Sequence, residues 1–206
     1  MLELYTYGTS NGQRASVMLE ECGQQYKAIK VDLERGEQKT PNFLRINAAG
    51  QIPVLVDLSR AGGKPIVICQ SGAIILHLAE RTGRLLPRDP TRRQLAYQWF
   101  MQAMTDVAPA SGILFVVGSL MPEATNNSRK LFEQRLIGHL KNADRRLAEE
   151  QFLAGEISIA DVALYPTVSF RREIIAQSGE LPYLMRWLAT MDARPAVQRG
   201  MAVPGD

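Results

Sequence analysis

Residues 84–90 (RLLPRDP) divide the sequence into two parts of different character. Before this stretch, strand-like alternation is interspersed with helix-like segments, whereas after it only helical periodicity continues. Its two prolines interrupt both kinds of pattern. A chain of 206 residues is long enough to bury a sizeable core. We therefore predict an α/β domain over residues 1–84, a linker over 85–90 and an all-helical domain over 91–206.

The first part contains four strand-like and three helix-like segments. In chain order these are a strand at 2–7, a helix at 11–23, a strand at 26–33, a short helix at 40–47, a hairpin of strands at 54–58 and 66–69 joined by the turn 59–65, and a helix at 71–83 with Ser71 as its N-cap. This β-α-β-α-β-β-α order predicts a mixed sheet with helices on its faces. In the second part, helices are predicted at about 91–119, 126–150, 160–177 and 180–193.

Charge and composition indicate which classes of ligand the protein can bind. The net charge is +3, and the basic residues are scattered doublets, which suits a small anionic ligand better than nucleic acid. Cys22 and Cys69 lack metal or redox spacing. His77 and His139 have no acidic partner at metal-ligand spacing, so we expect both at the surface or an interface and no metal site. The N-terminus does not resemble a signal peptide, and the longest apolar run, 110–121, is too short to cross a bilayer. We expect a cytoplasmic protein that binds neither nucleic acid nor membranes.

A polar turn, YGTSNGQRA (residues 7–15), follows the first strand. Thr9, Ser10 and Asn11 stand together there at a predicted helix start. Ser10 or Asn11 could simply cap the helix. The same groups could also stabilise an anion, because a helix N-terminus presents unpaired N–H groups and a partial positive charge.

Two further segments have comparable alternatives. Pro53 could be an ordinary trans proline that opens a strand. In this order of elements, however, its position is that of the cis-proline of thioredoxin-like folds, where the backbone of the preceding residue, here Ile52, turns outward and binds a peptide-like ligand as an added strand. Gln70 and Ser71 begin a helix, and they could cap it, receive a carboxylate, or do both.

Taken together, these features resemble the glutathione transferase superfamily over nearly the full length of the chain. The resemblance rests on the order of Ile52-Pro53, the helix QSGAIILHL (70–78), the proline linker and SIADVALYP (158–166), which contains a capping box. The N-terminal third is most similar to bacterial Nu-type members, which are related to disulfide-bond reductases and carry a T-P-N-G turn. Here Ser10 replaces that proline, as in theta-like members with a catalytic serine, and the tryptophan-rich stretch of many bacterial relatives is missing.

The resemblance implies a glutathione site, with glutathione as the co-substrate. Ile52, beside Pro53, would pair with the cysteinyl backbone, and Gln70 and Ser71 would hold the γ-glutamyl end. Gln38, with Gln51 nearby, would reach the glycyl carboxylate. Arg129, or else Arg135, would supply a cation from the helical domain. Thr9, Ser10 or Asn11 would contact the sulfur. Tyr5 is the alternative, because tyrosine-type members carry their catalytic residue on this strand. The resemblance also implies a homodimer.

The energy that such a site must supply is modest. Glutathione reacts as the thiolate, and lowering a thiol pKa from roughly 8.5 to roughly 6.5 requires about 2.7 kcal/mol. A helix N-terminus supplies about 0.3–1 kcal/mol, and one hydrogen bond to a charged group adds roughly 1.5–3 kcal/mol. One well-placed donor at the helix start is therefore sufficient without a general base.

These expectations lead to one principal hypothesis and one rival. The principal hypothesis is a glutathione-dependent transferase or disulfide-bond reductase whose thiolate attacks an electrophile, a peroxide or a disulfide. Residues 112–118 (GILFVVG) would line an apolar co-substrate pocket. The rival is a non-catalytic interaction or regulatory module built on the same fold.

Overall fold

The computed structural model describes residues 1–58, 63–121, 123 and 125–205. The chain forms two compact units, Met1–Arg84 with Ala193–Asp206, and Leu85–Asp192. Sequence periodicity predicts a helical domain that extends over 91–206, whereas in the structure residues 193–205 belong to the N-terminal unit. Part of the predicted turn at 59–65, residues 59–62, lies outside the described residues.

The first unit has a four-stranded mixed sheet. Its strands are β1 (Leu2–Thr6), β2 (Tyr26–Lys30), β3 (Val54–Asp57) and β4 (Ile66–Cys69). Its first three helices are α1 (Ser10–Glu21), α2 (Pro41–Ile46) and α3 (Ser71–Thr82), with a 3-10 turn at Glu37–Lys39. The strand order is β2-β1-β3-β4; β1 runs parallel to β2, and the other two pairs are antiparallel. The predicted α/β fold class and hairpin are confirmed.

Side-chain alternation in β1 explains how the sheet is covered. Leu2, Leu4 and Thr6 are almost fully buried on one face, because successive side chains of a strand point to opposite faces. Tyr5 lies on the other face and packs against a cluster that includes Phe43 from α2. Both faces of the sheet are therefore covered.

A final helix completes the first unit. Helix α10 (Pro195–Met201) packs against α1 so closely that a Cβ added at Gly200 would lie 2.5 Å from Val17 Cα. The Ser16 hydroxyl donates to the Gly200 carbonyl at 2.6 Å. The sequence pattern does not predict this helix, because seven residues are too few for a clear helical period.

The second unit is helical throughout its regular structure. Its helices are α4 (Pro90–Gln102), α5 (Ala108–Phe115), α6 (Asn126–Glu149), α7 (Ile159–Phe170), α8 (Arg172–Ser178) and α9 (Pro182–Asp192). Two π-helical segments, Ala103–Val107 and Val116–Leu120, flank α5. The helix predicted at 160–177 is divided at Arg171.

Helices α4 and α5 and the two π segments form one helical run of 31 residues, Pro90–Leu120, which by length and hydropathy alone could span a membrane. The expectation that the apolar run at 110–121 was too short is therefore not supported by the length of the helix. Within the second unit, α4 packs against α7, and α5 packs against α6 and α7. Of the most apolar stretch of this run, 33% is buried inside the structure.

The predicted capping box at the start of α7 is confirmed. The Ser158 N–H and hydroxyl donate to Asp161, and the Ser158 side chain in turn caps the helix. Asp161 is fully buried and also accepts from the Leu153 N–H and the Trp187 indole. This carboxylate ties three segments of the second unit together.

One of the two histidines has an acidic neighbour that sequence spacing does not reveal. His77 Nε2 lies 3.5 Å from the buried Asp57 Oδ2. Arg81, one turn further along α3, forms an ion pair with the same carboxylate. The sequence could not show this cluster, since Asp57 lies on β3 and the other two residues lie on α3.

Candidate functional site

The sheet register brings three segments to one end of the first unit. Tyr5 pairs with Val54, and Val54 pairs with Cys69, so the end of β1, the start of β3 and the end of β4 lie side by side. Neighbouring strands lie about 4.8 Å apart, so β1 and β4 are separated by about 10 Å. An extended tripeptide has a similar length, about 10 Å. The turn after β1, Ile52-Pro53 and Gln70-Ser71 therefore border a tripeptide-sized edge.

At the turn after β1, each of the three predicted residues has a different role. Thr9, not Ser10 or Asn11, is the N-cap of α1, and its Oγ1 accepts from the Gly12 N–H at 3.2 Å. The Thr9 O–H proton can still be donated elsewhere. The Asn11 side-chain oxygen accepts from the buried Arg14 guanidinium, which leaves the amide NH₂ as a donor. The Ser10 hydroxyl has no hydrogen bond among the residues that the structure describes.

Tyr5, the alternative partner for the sulfur, has a partner of its own. Its hydroxyl donates to Glu3 Oε2 at 3.3 Å, and its ring packs edge-on against Phe43. Burial, followed by the nearby Glu3 carboxylate, raises the Tyr5 pKa. A hydroxyl bound to a carboxylate is poorly suited to stabilise a second anion.

The backbone at Ile52 is open to a ligand. The Ile52-Pro53 peptide bond is cis, as expected from the thioredoxin-like order of elements. Within the part of the chain that the structure describes, neither the N–H nor the C=O of Ile52 has a hydrogen-bond partner. A peptide-like ligand could pair with both groups as an added strand.

Gln70 and Ser71 differ from the predicted arrangement in one respect. Gln70 occupies the N-cap position of α3, and Ser71, predicted as the cap, is the first helical residue. Gln70 has φ 74° and ψ 123°, a strained conformation for a residue with a side chain. Counting only the described residues, the Ser71 hydroxyl has no intramolecular hydrogen bond, and it lies beside the first N–H groups of α3. This helix start can receive a carboxylate.

Gln38 and Gln51 come from two segments that pack together. A Cβ added at Gly50 would lie 2.9 Å from the Gln38 carbonyl oxygen and 2.8 Å from Lys39 Nζ. The Gln38 Oε1 is buried and has no hydrogen-bond partner among the described atoms. The Gln51 side chain is exposed, and its carbonyl accepts from Asn47 Nδ2 at 2.7 Å.

The sequence analysis missed two residues of this corner. Asn47 holds the loop before Ile52 through its bond to Gln51, and its Oδ1 also accepts from the Ala49 N–H at 3.2 Å. Lys39 reaches over the same loop, with Nζ 3.5 Å from the Ala49 carbonyl. The sequence does indicate that Lys39 lies near the site, since it directly follows Gln38, whereas the pattern around Asn47 predicts only the end of a short helix.

Comparison with known proteins now decides the family. The model of the glutathione S-transferase N-terminal domain matches residues 10–81. The disulfide-bond oxidoreductase YfcG of Escherichia coli (strain K12) is 34% identical over 205 residues, which cover 98% of this chain and 94% of that protein. The chain belongs to the glutathione S-transferase family.

Solved structures of this family share both parts of the chain. A glutathione transferase from Pseudomonas putida, with one glutathione disulfide bound per subunit, superposes with a TM-score of 0.91 at 34% sequence identity. The match covers 99% of this chain and 92% of the Pseudomonas putida chain. A glutathione transferase from Burkholderia graminis, with two glutathione molecules bound per subunit, has a TM-score of 0.91 at 33% sequence identity. The match covers 99% of this chain and 88% of the Burkholderia graminis chain. The predicted fold, an α/β domain followed by a helical one, is confirmed.

The cysteines of this family member lie outside the turn. Cys22 is buried at the end of α1 and accepts from the Thr82 hydroxyl at 3.4 Å, and Cys69 is half-buried at the end of β4. Burial raises the pKa of both thiols. A thiol with a raised pKa is a poor nucleophile at neutral pH.

Most of the residues predicted for the site in the second unit are exposed. Arg129 and Arg135 are exposed on α6, and a Cβ at Gly118 would lie 3.6 Å from Arg129 Nη2. In the segment 112–118, Leu114 and Val117 are buried, whereas the remaining side chains and glycines are exposed. The roles of Arg129 and of this segment in binding stay predictions.

Proposed function

We propose that this protein is a glutathione-dependent disulfide-bond reductase that also transfers glutathione to electrophiles. Family membership supports a glutathione-dependent transferase or reductase, and a full-length relative is a disulfide-bond oxidoreductase. Related structures contain glutathione or glutathione disulfide. The observation that carries the proposal is the Ile52 backbone N–H and C=O at the tripeptide-sized edge of the sheet, which have no hydrogen-bond partner among the described residues.

Glutathione would lie along this edge as an added strand. Its cysteinyl unit would pair with the Ile52 backbone, and its γ-glutamyl carboxylate would meet the Ser71 hydroxyl and the N-terminus of α3, with Gln70 beside it. Its glycyl carboxylate would lie toward Gln38 and Gln51. The cation predicted for this anionic ligand is Arg129, and Arg135 is the second candidate.

The sulfur would then lie at the start of α1. The turn offers three donors, the hydroxyls of Thr9 and Ser10 and the amide of Asn11, together with the helix N-terminus. No acidic side chain lies in the first turn of the helix, so nothing there opposes a negative charge. One such donor and the helix start together provide the roughly 2.7 kcal/mol that the thiolate requires.

Disulfide reduction follows from two successive exchanges. The glutathione thiolate attacks one sulfur of the disulfide, the S–S bond breaks, and the departing sulfur takes a proton and leaves as a thiol. A second glutathione thiolate attacks the mixed disulfide and releases glutathione disulfide and the second thiol. Two electrons pass from two glutathione molecules to the substrate, and no cysteine of the protein changes its oxidation state.

Conjugation and peroxide reduction would use the same thiolate. The exposed apolar side chains Ile113, Phe115 and Val116 are our candidates for contact with an apolar co-substrate. We also infer a homodimer in the cytoplasm with a role in detoxification, from membership of this family. Light scattering tests the dimer, and cell fractionation tests the location.

The deciding experiment is retention on immobilised glutathione, followed by turnover with a small disulfide, a peroxide and an aryl halide. We expect retention and disulfide turnover. The same turnover assays compare Tyr5→Phe with three separate alanine variants, Thr9→Ala, Ser10→Ala and Asn11→Ala. We expect at least one alanine variant to lose activity and Tyr5→Phe to keep it. If the protein showed no retention and no turnover, the result would favour the non-catalytic interaction module.

A further inference from the structure

Arg14 is the most unusual side chain of α1. It lies one turn into the helix and is 1% exposed, although charged side chains are rarely buried to this degree. Its neighbours Ala15, Val17 and Met18 are fully buried and apolar. An apolar residue could fill the same space without removing a charge from water, so packing alone does not account for an arginine here.

The guanidinium has a defined contact with the turn before it. Arg14 Nη1 donates to the side-chain oxygen of Asn11, three residues earlier. Burial lowers the Arg14 pKa to about 10, so the group still carries its proton and donates at neutral pH. Asn11 itself is exposed. A buried group therefore fixes the orientation of an exposed one.

This contact determines what Asn11 can offer. An asparagine amide has an acceptor end and a donor end, and Arg14 occupies the acceptor end. The NH₂ group is left to donate. A free asparagine could present either end to a ligand, and its oxygen would repel a thiolate. The contact with Arg14 removes that unfavourable orientation.

We propose that Arg14 is a positioning residue for the glutathione thiolate, acting by holding the Asn11 oxygen so that the Asn11 NH₂ faces the sulfur. This inference rests on the proposed function. It also assigns the contact with the sulfur to Asn11, a choice that the sequence left open among three residues. Arg14 contacts Asn11, and Asn11 contacts the thiolate.

The test is the pKa of the thiol of bound glutathione, read from its ultraviolet thiolate absorbance. We expect Arg14→Met and Asn11→Ala each to raise this pKa by about 1–2 units, the effect of losing one hydrogen bond to a charged group. Arg14→Met/Asn11→Ala should match Asn11→Ala, because both changes remove the same contact. Arg14→Lys, which keeps a charged donor, should recover part of the loss. The affinity for glutathione should change little.

Controls separate this role from a structural one. Arg199→Ala removes an exposed arginine from the same unit and should titrate like the unchanged protein. Since Asn11 is exposed, its alanine variant gives a readout even if Arg14→Met fails to fold. An unchanged thiol pKa in Asn11→Ala, or additive effects in the double variant, would overturn the inference. If the unchanged protein bound no glutathione, the proposed function would fall as well.

Discussion

Arg194 forms a two-point ion pair with Glu21, with Nε and Nη2 at 2.7 and 2.9 Å from the two carboxylate oxygens. Glu21 is 5% exposed and is the last residue of α1, whereas Arg194 directly precedes α10. The C-terminal segment thus fastens the helix whose first turn carries the proposed thiolate site. The N-terminal unit of this protein therefore needs residues from the far end of the chain.

Arg194→Ala should destabilise the protein by about 2–3 kcal/mol, because it leaves a buried carboxylate without this partner. Arg199→Ala is the matched control, since Arg199 pairs with Glu20 at the surface and should contribute less than about 1 kcal/mol. Urea unfolding of the two variants measures the difference. Equal effects would mean that the ion pair does not fasten α1.

Gly12→Ala should disrupt the turn and with it glutathione binding. A Cβ at this position would lie 2.2 Å from the Tyr7 carbonyl oxygen and 2.4 Å from Thr6 Oγ1, so α1 would have to move away from β1. Gly8→Ala is the control, because an added Cβ there meets no atom within 4 Å. We expect at least about tenfold weaker retention of glutathione by Gly12→Ala only. Similar losses in both variants would contradict this account of the turn.

Replacing Gln70 with glycine should increase the stability of the protein and weaken its binding of glutathione. Its positive φ is natural for glycine, so Gln70→Gly should relieve strain of about 1 kcal/mol, while Gln70→Ala should not. Both substitutions remove the amide and should weaken glutathione binding to a similar degree. Thermal unfolding and calorimetric titration measure the two effects. A glycine variant that is less stable than the alanine variant would argue against strain at this site.

The double variant Cys22→Ser/Cys69→Ser should keep disulfide reductase activity. Burial raises the pKa of both thiols, so the thiolate fraction of each at neutral pH is smaller than that of an exposed cysteine, and neither lies at the turn. Turnover of a small disulfide at saturating glutathione is the measurement. Loss of turnover in a folded double variant would assign a redox role to a protein cysteine.

Local patterns accounted for much of this protein, and long-range contacts account for what was missed. The order of strands and helices along the chain and the Ser158–Asp161 capping box follow from signals within a few residues, whereas the cis bond expected at Ile52-Pro53 follows from that order of elements. Helix α10 is too short for a clear helical period, and its place in the first unit depends on a close approach to α1, almost the whole chain away. The proximity of His77 to Asp57 likewise depends on how a helix packs on the sheet.

Within the site, sequence identified the segments better than the role of each residue. The crowded turn predicted a functional helix start, but that Thr9 is the cap and that Arg14 holds Asn11 depends on side-chain geometry. The same holds for Gln70, where the pattern predicted a cap at Ser71 one residue later. Propensity alone does not distinguish neighbouring polar residues at a helix start.

The most direct test of the central claim is the pKa of the thiol of glutathione bound to the unchanged protein, measured by its thiolate absorbance as a function of pH. If glutathione binds this edge with its sulfur at the start of α1, we expect a thiol pKa of roughly 6.5, about two units below that of the free thiol. A bound thiol that still titrates at roughly 8.5 would contradict the account.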